Sequence, residues 1–139
     1  MKKLSTLVIT GLLFLSACST GKNVANSSTP LYETKWLLKK IHTGSATEDV
    51  NTKAFIRFDQ SKGSAGGNGS CNSFGSNAAV NGSDVKFSNV FSTKMYCEGV
   101  QQIENKFLGD LEKVTRYKIE GKTLKLYNGN DVLLEFDAE

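Results

Sequence analysis

The sequence is poor in the residues that most often build catalytic and metal sites. Its 139 residues contain one histidine, one proline, one tryptophan and three cysteines, and no Cys-x-x-Cys pair occurs. A zinc site of histidine and cysteine therefore lacks ligands at the usual spacing, and we expect neither a metal nor another cofactor. Clusters of lysine and arginine are also missing. Nucleic acid is therefore not expected as a partner, because nucleic-acid-binding proteins concentrate basic residues on one face or segment.

Long hydrophobic runs are absent as well. The apolar, uncharged segment Leu4–Leu15 follows Lys2 and Lys3 and has 12 residues, whereas a helix that spans a bilayer takes about 20. This pattern predicts a secretory signal peptide over residues 1–17. The segment ends in Leu15-Ser16-Ala17-Cys18, which resembles the lipobox of bacterial lipoproteins, where the cysteine is acylated and becomes residue one. The alternative is an ordinary secreted protein with a chance cysteine.

Lipid on Cys18 would hold the mature chain on a membrane outside the cytoplasm. Ser19 is not acidic, which for lipoproteins of a Gram-negative host predicts sorting to the outer membrane, facing the periplasm. Residues 18–30 have few apolar side chains and no periodicity, so we expect a flexible tether. Residues 31–139 suffice for one domain. Without the two signal lysines the chain carries 15 basic and 14 acidic side chains.

Two cysteines remain, Cys71 and Cys97. An even pair in an exported domain predicts a disulfide, because the compartment is oxidising. The two lie 26 residues apart, and closing a loop of that size stabilises a fold by roughly 3.5 kcal/mol in the chain-entropy interpretation. A catalytic or metal-binding thiol is the competing interpretation. It has little support, because His42 is far away in the sequence.

Seven segments have the composition of β-strands, and one has the periodicity of a helix. Short aromatic and β-branched runs between polar residues predict the strands. They are residues 31–41, 54–59, 85–87, a segment that begins at 90–91, 116–119, 123–127 and 132–136. Apolar residues at intervals of three and four between Val100 and Val114 predict an amphipathic helix of about four turns. We expect this helix to cover one side or an open end of the sheet.

Six of the 13 glycines fall between Gly63 and Gly82. Such density indicates turns, bulges or close approach of two backbones, since glycine adopts positive φ without steric cost. A phosphate-binding loop is an alternative interpretation of this run. The run lacks the Gly-Lys-Ser/Thr ending of a P-loop, and no helix pattern follows it, so this interpretation is weak.

Several motifs follow one another in a distinctive order. A Trp-x-Leu strand comes first, then a glycine-rich approach to Cys-Asn, a Thr-x-Met-x-Cys element, a Glu-x-x-Phe-x-x-x-Leu helix and a closing hairpin. The residues that carry these motifs are Leu31, Trp36, Leu38, Gly66, Gly69, Cys71, Asn72, Phe74, Thr93, Met95, Cys97, Glu104, Phe107, Leu111, Leu124, Leu126, Leu133 and Phe136. In this order they resemble the META domain, the family of the HslJ-like heat-shock proteins, over essentially all of residues 31–136.

The resemblance implies a mainly β (α+β) fold, with a curved or barrel-like antiparallel sheet and one amphipathic helix. This agrees with the count of about seven strands. It also implies exported or lipid-anchored bacterial proteins, some named for heat induction, and no established enzymatic activity. The chain departs from the pattern at Ser70, which separates glycine from cysteine, and at Ala78-Ala79, where the family often has an aromatic residue.

Catalytic residues cannot be assigned from the sequence. His42 is isolated, and Asp59, Glu98 and Glu104 lack the paired setting of a glycosidase. We therefore expect a monomeric, non-enzymatic envelope lipoprotein that serves envelope maintenance or stress tolerance by binding a protein, a peptide or an envelope component.

A small-molecule binding module with a ligand cavity is the alternative, and an inhibitor or uncharacterised enzyme is the third hypothesis. An apolar cavity lined by aromatic residues would favour the small-molecule module, and a flat exposed apolar patch would favour a protein partner. A perturbed carboxylate beside serine or histidine in a cleft would favour the enzyme.

Overall fold

The computed structural model describes residues 28–139. The predicted signal peptide, Cys18 and most of the predicted tether lie outside these residues. The elements are β1 (Trp36–Thr43), β2 (Ala46–Asp49), β3 (Phe55–Asp59), β4 (Ser64–Asn68), β5 (Ser73–Asn81), β6 (Asp84–Ser92), α1 (Gln101–Leu111), β7 (Arg116–Glu120), β8 (Thr123–Asn128) and β9 (Asp131–Ala138). Within this part of the chain, no helix is long and apolar enough to cross a membrane.

All nine strands belong to one curved antiparallel sheet in the order β2-β1-β3-β4-β5-β6-β7-β8-β9. The sheet closes on itself because β1 also pairs with β9 along most of its length, from Trp36 opposite Ala138 to Ile41 opposite Leu134. The other edge of β1 is shared: β3 pairs with its first residues and β2 with its last four. The result is a barrel-like sheet, as the resemblance implied.

The expected count of about seven strands is wrong. The segments at Val85–Phe87 and Val90–Phe91 form one strand, β6, while β2, β4 and β5 were not predicted. Strand β4 has the sequence Ser-Ala-Gly-Gly-Asn, which carries no β-branched or aromatic residue. Its glycines allow close approach of neighbouring backbones, because a Cβ on Gly66 would lie 2.8 Å from the Phe74 carbonyl oxygen. Close approach was thus the right interpretation of part of the glycine-rich segment.

The core fills the inside of the barrel, and α1 covers one end. The most deeply buried large side chains are Trp36, Leu38, Ile41, Ile56, Phe107, Leu111, Leu124, Leu126, Leu134 and Phe136. Phe107 projects from the helix into the barrel, where its ring centroid lies 5.3 Å from that of Phe74 and 5.7 Å from that of Phe136. The predicted helix exists, and it is shorter than the apolar periodicity of residues 100–114 indicated.

The two ends of the barrel differ. At the helix end, the loop after β4 and the segment after β6 meet the first turn of α1. At the tether end, the backbone N–H of Thr29 donates to the carbonyl of Gly121, in the β7–β8 turn, at 2.9 Å. Strand β7 starts just after the helix and ends just before Gly121. The described chain therefore enters the barrel at the end opposite the helix.

Candidate functional site

Glu104 is the centre of a buried hydrogen-bond network at the helix end. It lies in the first turn of α1, and 2% of its surface is exposed. Its Oε2 accepts the backbone N–H groups of Cys71 at 3.0 Å and Asn72 at 2.6 Å. Its Oε1 accepts the Asn72 side-chain amide at 2.6 Å and the Gln101 side-chain amide at 3.4 Å. Each carboxylate oxygen therefore has two donors.

Asn72 extends this network to the segment after β6. Its Oδ1 accepts the Thr93 hydroxyl at 2.9 Å and the backbone N–H of Met95 at 2.8 Å. Its Nδ2 donates to the Met95 carbonyl at 2.9 Å as well as to Glu104. Both backbone polar groups of Met95 are thus held by one side chain. We call Asn72, Thr93, Met95 and Glu104 the polar hub.

The loop after β4 fits closely around the hub. A Cβ on Gly69 would lie 2.7 Å from Oε2 of Glu104, so any side chain there would displace the carboxylate. Ser70 has a φ of 125°, in the region that favours glycine. Its hydroxyl lies 2.9 Å from that of Thr52, and its N–H donates to Oδ1 of Asn68 at 3.0 Å. These contacts fix a short loop whose N–H groups face Glu104.

A disulfide joins Cys71 to Cys97, with 5.8 Å between their Cα atoms. It links the loop after β4 to the residues just before α1, where the backbone N–H of Gln101 donates to the Cys97 carbonyl at 3.2 Å. The covalent bond and the polar hub therefore fasten the same two segments. A free catalytic or metal-binding thiol is not present at either position in this structure.

The ionisation of Glu104 follows from its donors. Burial opposes the charged form, but hydrogen bonds from the backbone and side chain of Asn72, from the Cys71 backbone and from Gln101 outweigh it, so the pKa of Glu104 lies below its ordinary value of 4.5. The position in the first helical turn also favours negative charge. Glu104 is thus a fully bonded carboxylate at neutral pH.

A groove of about 490 Å³ opens beside the hub, between α1 and the chain from β6 to the disulfide. One wall is residues 90–96, and the other is the helix face with Gln101, Asn105, Leu108 and Glu112. Three large apolar side chains of the first wall are exposed: Phe91 by 69%, Met95 by 62% and Tyr96 by 79%. We call Phe91, Met95 and Tyr96 the apolar cluster.

A comparison with family models gives a match that covers nearly all the described residues. The model of the META domain matches residues 29–139. The chain belongs to the META domain family.

Two solved structures resemble this META domain. One, an NMR structure of a protein from Burkholderia xenovorans, has a TM-score of 0.67 and 22% identity, and the alignment covers 78% of this chain and 83% of that one. A second NMR structure has a TM-score of 0.57 and 17% identity, with coverage of 75% and 87%. At these identities the likeness shows the fold alone. No curated protein matches the sequence.

The residues that carried the META resemblance fall into two sets. Gly69, Cys71, Asn72, Thr93, Met95, Cys97 and Glu104 meet at the hub and the disulfide. The other set is structural: Trp36 is fully buried and donates its indole N–H to the Leu31 carbonyl at 3.0 Å, and Phe74 is a core residue. Gly66 permits close strand pairing. Much of the META sequence pattern therefore encodes one local structure that positions the residues after β6.

His42 makes contacts that the sequence did not indicate. Its Nε2 lies 2.8 Å from Oε1 of Glu135, and its Nδ1 lies 3.1 Å from the Thr47 hydroxyl. Strand pairing accounts for both contacts, since His42 faces Thr47 across the β1–β2 pair, and β9 runs along the other side of β1. Among residues 28–139, no group of three or more histidine, cysteine and acidic side chains is arranged to hold a metal.

A second cavity, of about 910 Å³, opens at the tether end beside the β3–β4 turn. Polar and charged residues such as Glu33, Arg57 and Asp59 form much of its lining, together with Tyr32 and Phe58. Ligand pockets are usually lined mainly by apolar and aromatic groups. This cavity has a mixed lining, and its volume is that of a ligand pocket, so the small-molecule alternative has a candidate site at the tether end.

The sequence did not reveal the apolar cluster. Phe91 was predicted only to lie at the start of a strand, and Met95 was named only as a family residue. Tyr96 was not singled out. The available signal was the short spacing of three large apolar residues in Phe91-Ser92-Thr93-Lys94-Met95-Tyr96, without the strict alternation of a half-buried strand.

Proposed function

We propose that this protein is a lipid-anchored envelope lipoprotein whose META domain serves envelope maintenance or stress tolerance by binding a protein partner at the groove. The observation that carries the proposal is the exposed apolar cluster of Phe91, Met95 and Tyr96. Solvent-exposed apolar groups that lie together, rather than singly, are typical of interaction sites. Aromatic residues and methionine are also enriched in protein interfaces.

Preorganisation of the cluster supports binding. Asn72 forms hydrogen bonds with both backbone polar groups of Met95. Two residues later, the disulfide joins Cys97 to Cys71 in the loop after β4. The entropy that a loop loses on binding is then already lost in the free protein, which favours affinity. The polar hub thus has a function in this proposal: together with the disulfide it fixes the backbone on both sides of Tyr96, at Met95 and at Cys97.

The position of the groove fits an anchored protein. The described chain enters at the tether end, where Thr29 bonds to Gly121, and the groove lies at the helix end. A tether attached through Cys18 would therefore leave the groove on the side of the domain away from the attachment point. A partner in the envelope would meet the groove without obstruction by the lipid.

The enzyme hypothesis receives less support. The buried carboxylate in the groove is Glu104, whose two oxygens are filled by four donors and whose pKa is lowered. A general base needs a free oxygen and a pKa near the working pH. The geometry of Glu104 is that of a structural carboxylate, and the proposal remains a binding protein.

Anchoring is tested by metabolic labelling with a clickable fatty acid. We expect label on the wild-type chain and none on Cys18→Ala, which should also leave the membrane fraction or remain unprocessed. Cys97→Ala is the matched control, because it removes a cysteine and leaves the lipobox intact. Absence of label from the wild-type protein would overturn the lipoprotein claim.

Binding at the groove is tested by complementation of a strain that lacks the gene, under heat and envelope stress. We expect the double variant Phe91→Ser, Tyr96→Ser to fail, at unchanged protein level and melting temperature, because both side chains are exposed. Lys122→Ser, at the exposed β7–β8 turn of the tether end, should complement fully. If the double variant complements like the wild type, the apolar cluster is not the functional surface.

A further inference from the structure

We propose that the groove binds an extended peptide segment, with apolar and basic side chains, which adds as a strand to the free edge of β6. This inference rests on the proposed function and names the form of the partner. It follows from three features of the groove: an unpaired strand edge, apolar side chains beside that edge, and unpaired acidic groups near the opposite wall.

The barrel is joined between β6 and β7 at one end of β6 only. These strands share a single residue pair, Asp84 with Arg116, whereas β6 pairs with β5 along nearly its whole length. Val85 N–H donates to the Thr115 carbonyl at 3.1 Å, and β7 then runs away from the rest of β6. Over residues 86–92, β6 therefore has no strand partner on this side among the described residues.

Two residues in the unpaired part of β6 direct their backbone groups away from β5, and one of them, Ser92, lines the groove. Thr93 N–H donates to the Ser73 carbonyl, toward β5. Because successive backbone groups of a strand point to opposite edges, the N–H and C=O of Ser92 point away from β5. Val85 also directs its backbone N–H away from β5. Phe87 is two residues further along the regular part of the strand, before the irregular pairing near Asn89, so its backbone groups point away from β5 as well. An unpaired edge of this kind is a template for strand addition.

Strand addition also accounts for the position of the apolar cluster. Phe91 lies over Gly75 on the outer face, where a Cβ on the glycine would be 2.7 Å from the phenylalanine ring. Met95 and Tyr96 continue the same wall, and Leu108 is half-buried in the facing helix. Alternate side chains of an added strand would contact these apolar groups, while its backbone pairs with β6.

The charges near the groove favour a basic segment. Glu112 lines the helix wall and is exposed, and Glu98 lies just beyond the disulfide. No ion pair of the described chain involves either residue. Glu104 adds a buried negative charge to the same wall, while Lys94 is the one basic residue among the lining groups. Lysine or arginine on the peptide would complement the helix wall.

The test uses the full chain in detergent and a short fluorescein-labelled peptide of alternating valine and lysine with one central phenylalanine, followed by fluorescence anisotropy. We expect binding, and about tenfold weaker binding when alternate peptide amides are N-methylated, since these can no longer donate to β6. The same peptide with glutamate in place of lysine should also bind more weakly. These peptide changes leave the protein untouched, so misfolding cannot mimic the result.

Glu112→Lys should weaken binding of the lysine peptide, and the matched control Glu33→Lys, an exposed carboxylate at the tether end, should not. Amide NMR shifts should concentrate at Phe87 and Ser92. Equal binding of the N-methylated peptide, or of the glutamate peptide, would overturn strand addition. If this happens while Phe91→Ser, Tyr96→Ser still fails in cells, the proposed function stands and the strand inference alone fails.

Discussion

The β7–β9 meander and the glycine-rich β4–β5 pair are antiparallel parts of one sheet, separated by β6, but they form for different reasons. In the meander, apolar residues alternate and Gly121 and Gly129 occupy turns at positive φ. Each hairpin is specified by its own residues. In β4–β5, Gly66 is needed because another backbone lies against it, and Gly69 because a carboxylate from α1 does. Local sequence therefore specifies the first region, and distant contacts specify the second.

This comparison predicts that removing one distant contact of the glycine-rich region costs far more than removing an exposed contact within the meander. Glu104→Ala should lower the free energy of unfolding by about 3–5 kcal/mol, because it leaves buried N–H groups of Cys71 and Asn72 without an acceptor. Glu120→Ala in the meander removes two exposed ion pairs with lysines and should leave the melting temperature essentially unchanged. Thermal unfolding of both variants measures the difference. Equal effects would contradict the central role of Glu104.

The pH dependence of stability sharpens the same point. The folded pKa of Glu104 is lowered, so its stabilising contribution is complete above its ordinary pKa of 4.5 and is lost as the pH falls through the folded pKa. We expect the wild type to lose more stability than Glu104→Gln between about pH 5 and about pH 3 in denaturant titrations. Asp59 and Glu120 also have lowered pKa values, from exposed contacts, and they contribute equally to both proteins. Parallel curves would show that the pKa of Glu104 is the same in the folded and unfolded states, which would contradict its stabilisation as a carboxylate.

The disulfide tests whether the polar hub alone can hold its two segments. Replacing Cys71 and Cys97 by alanine should lower the free energy of unfolding by about 2–4 kcal/mol, or the melting temperature by roughly 8–15 °C. The main reason is that the unfolded chain gains conformational entropy when it loses the cross-link. The circular dichroism spectrum should not change, because Asn72 and Glu104 still join the segments. Non-reducing alkylation and mass spectrometry provide the control. Two free thiols in the purified wild-type protein would show that the bridge is absent.

These differences explain how far the sequence could predict the molecule. The helix, the meander and the cysteine pairing follow from periodicity, turn residues and compartment, which are local or compositional signals. Strands β4 and β5 could not be predicted, because residues such as Gly66, Ser76 and Ala78 have low strand propensity. Their small size fits the close packing of neighbouring strands, which the local sequence does not show. The polar hub was present only as family residues without roles. The groove depends on where β7 leaves β6, which no local pattern encodes.

Ser70 provides the smallest and most specific test of the comparison. Its φ of 125° places a serine where glycine is favoured, at a cost of about 1–2 kcal/mol. Both Ser70→Gly and Ser70→Ala lose the hydroxyl contact with Thr52, so their difference isolates the backbone. The glycine variant should be the more stable by about 1–2 kcal/mol. At Ser73, an exposed residue of the regular strand β5, the order should reverse, with alanine more stable by about 0.5–1 kcal/mol because glycine loses more conformational entropy. Chemical denaturation of the four variants measures both differences, and the same order at both positions would refute the left-handed conformation of Ser70.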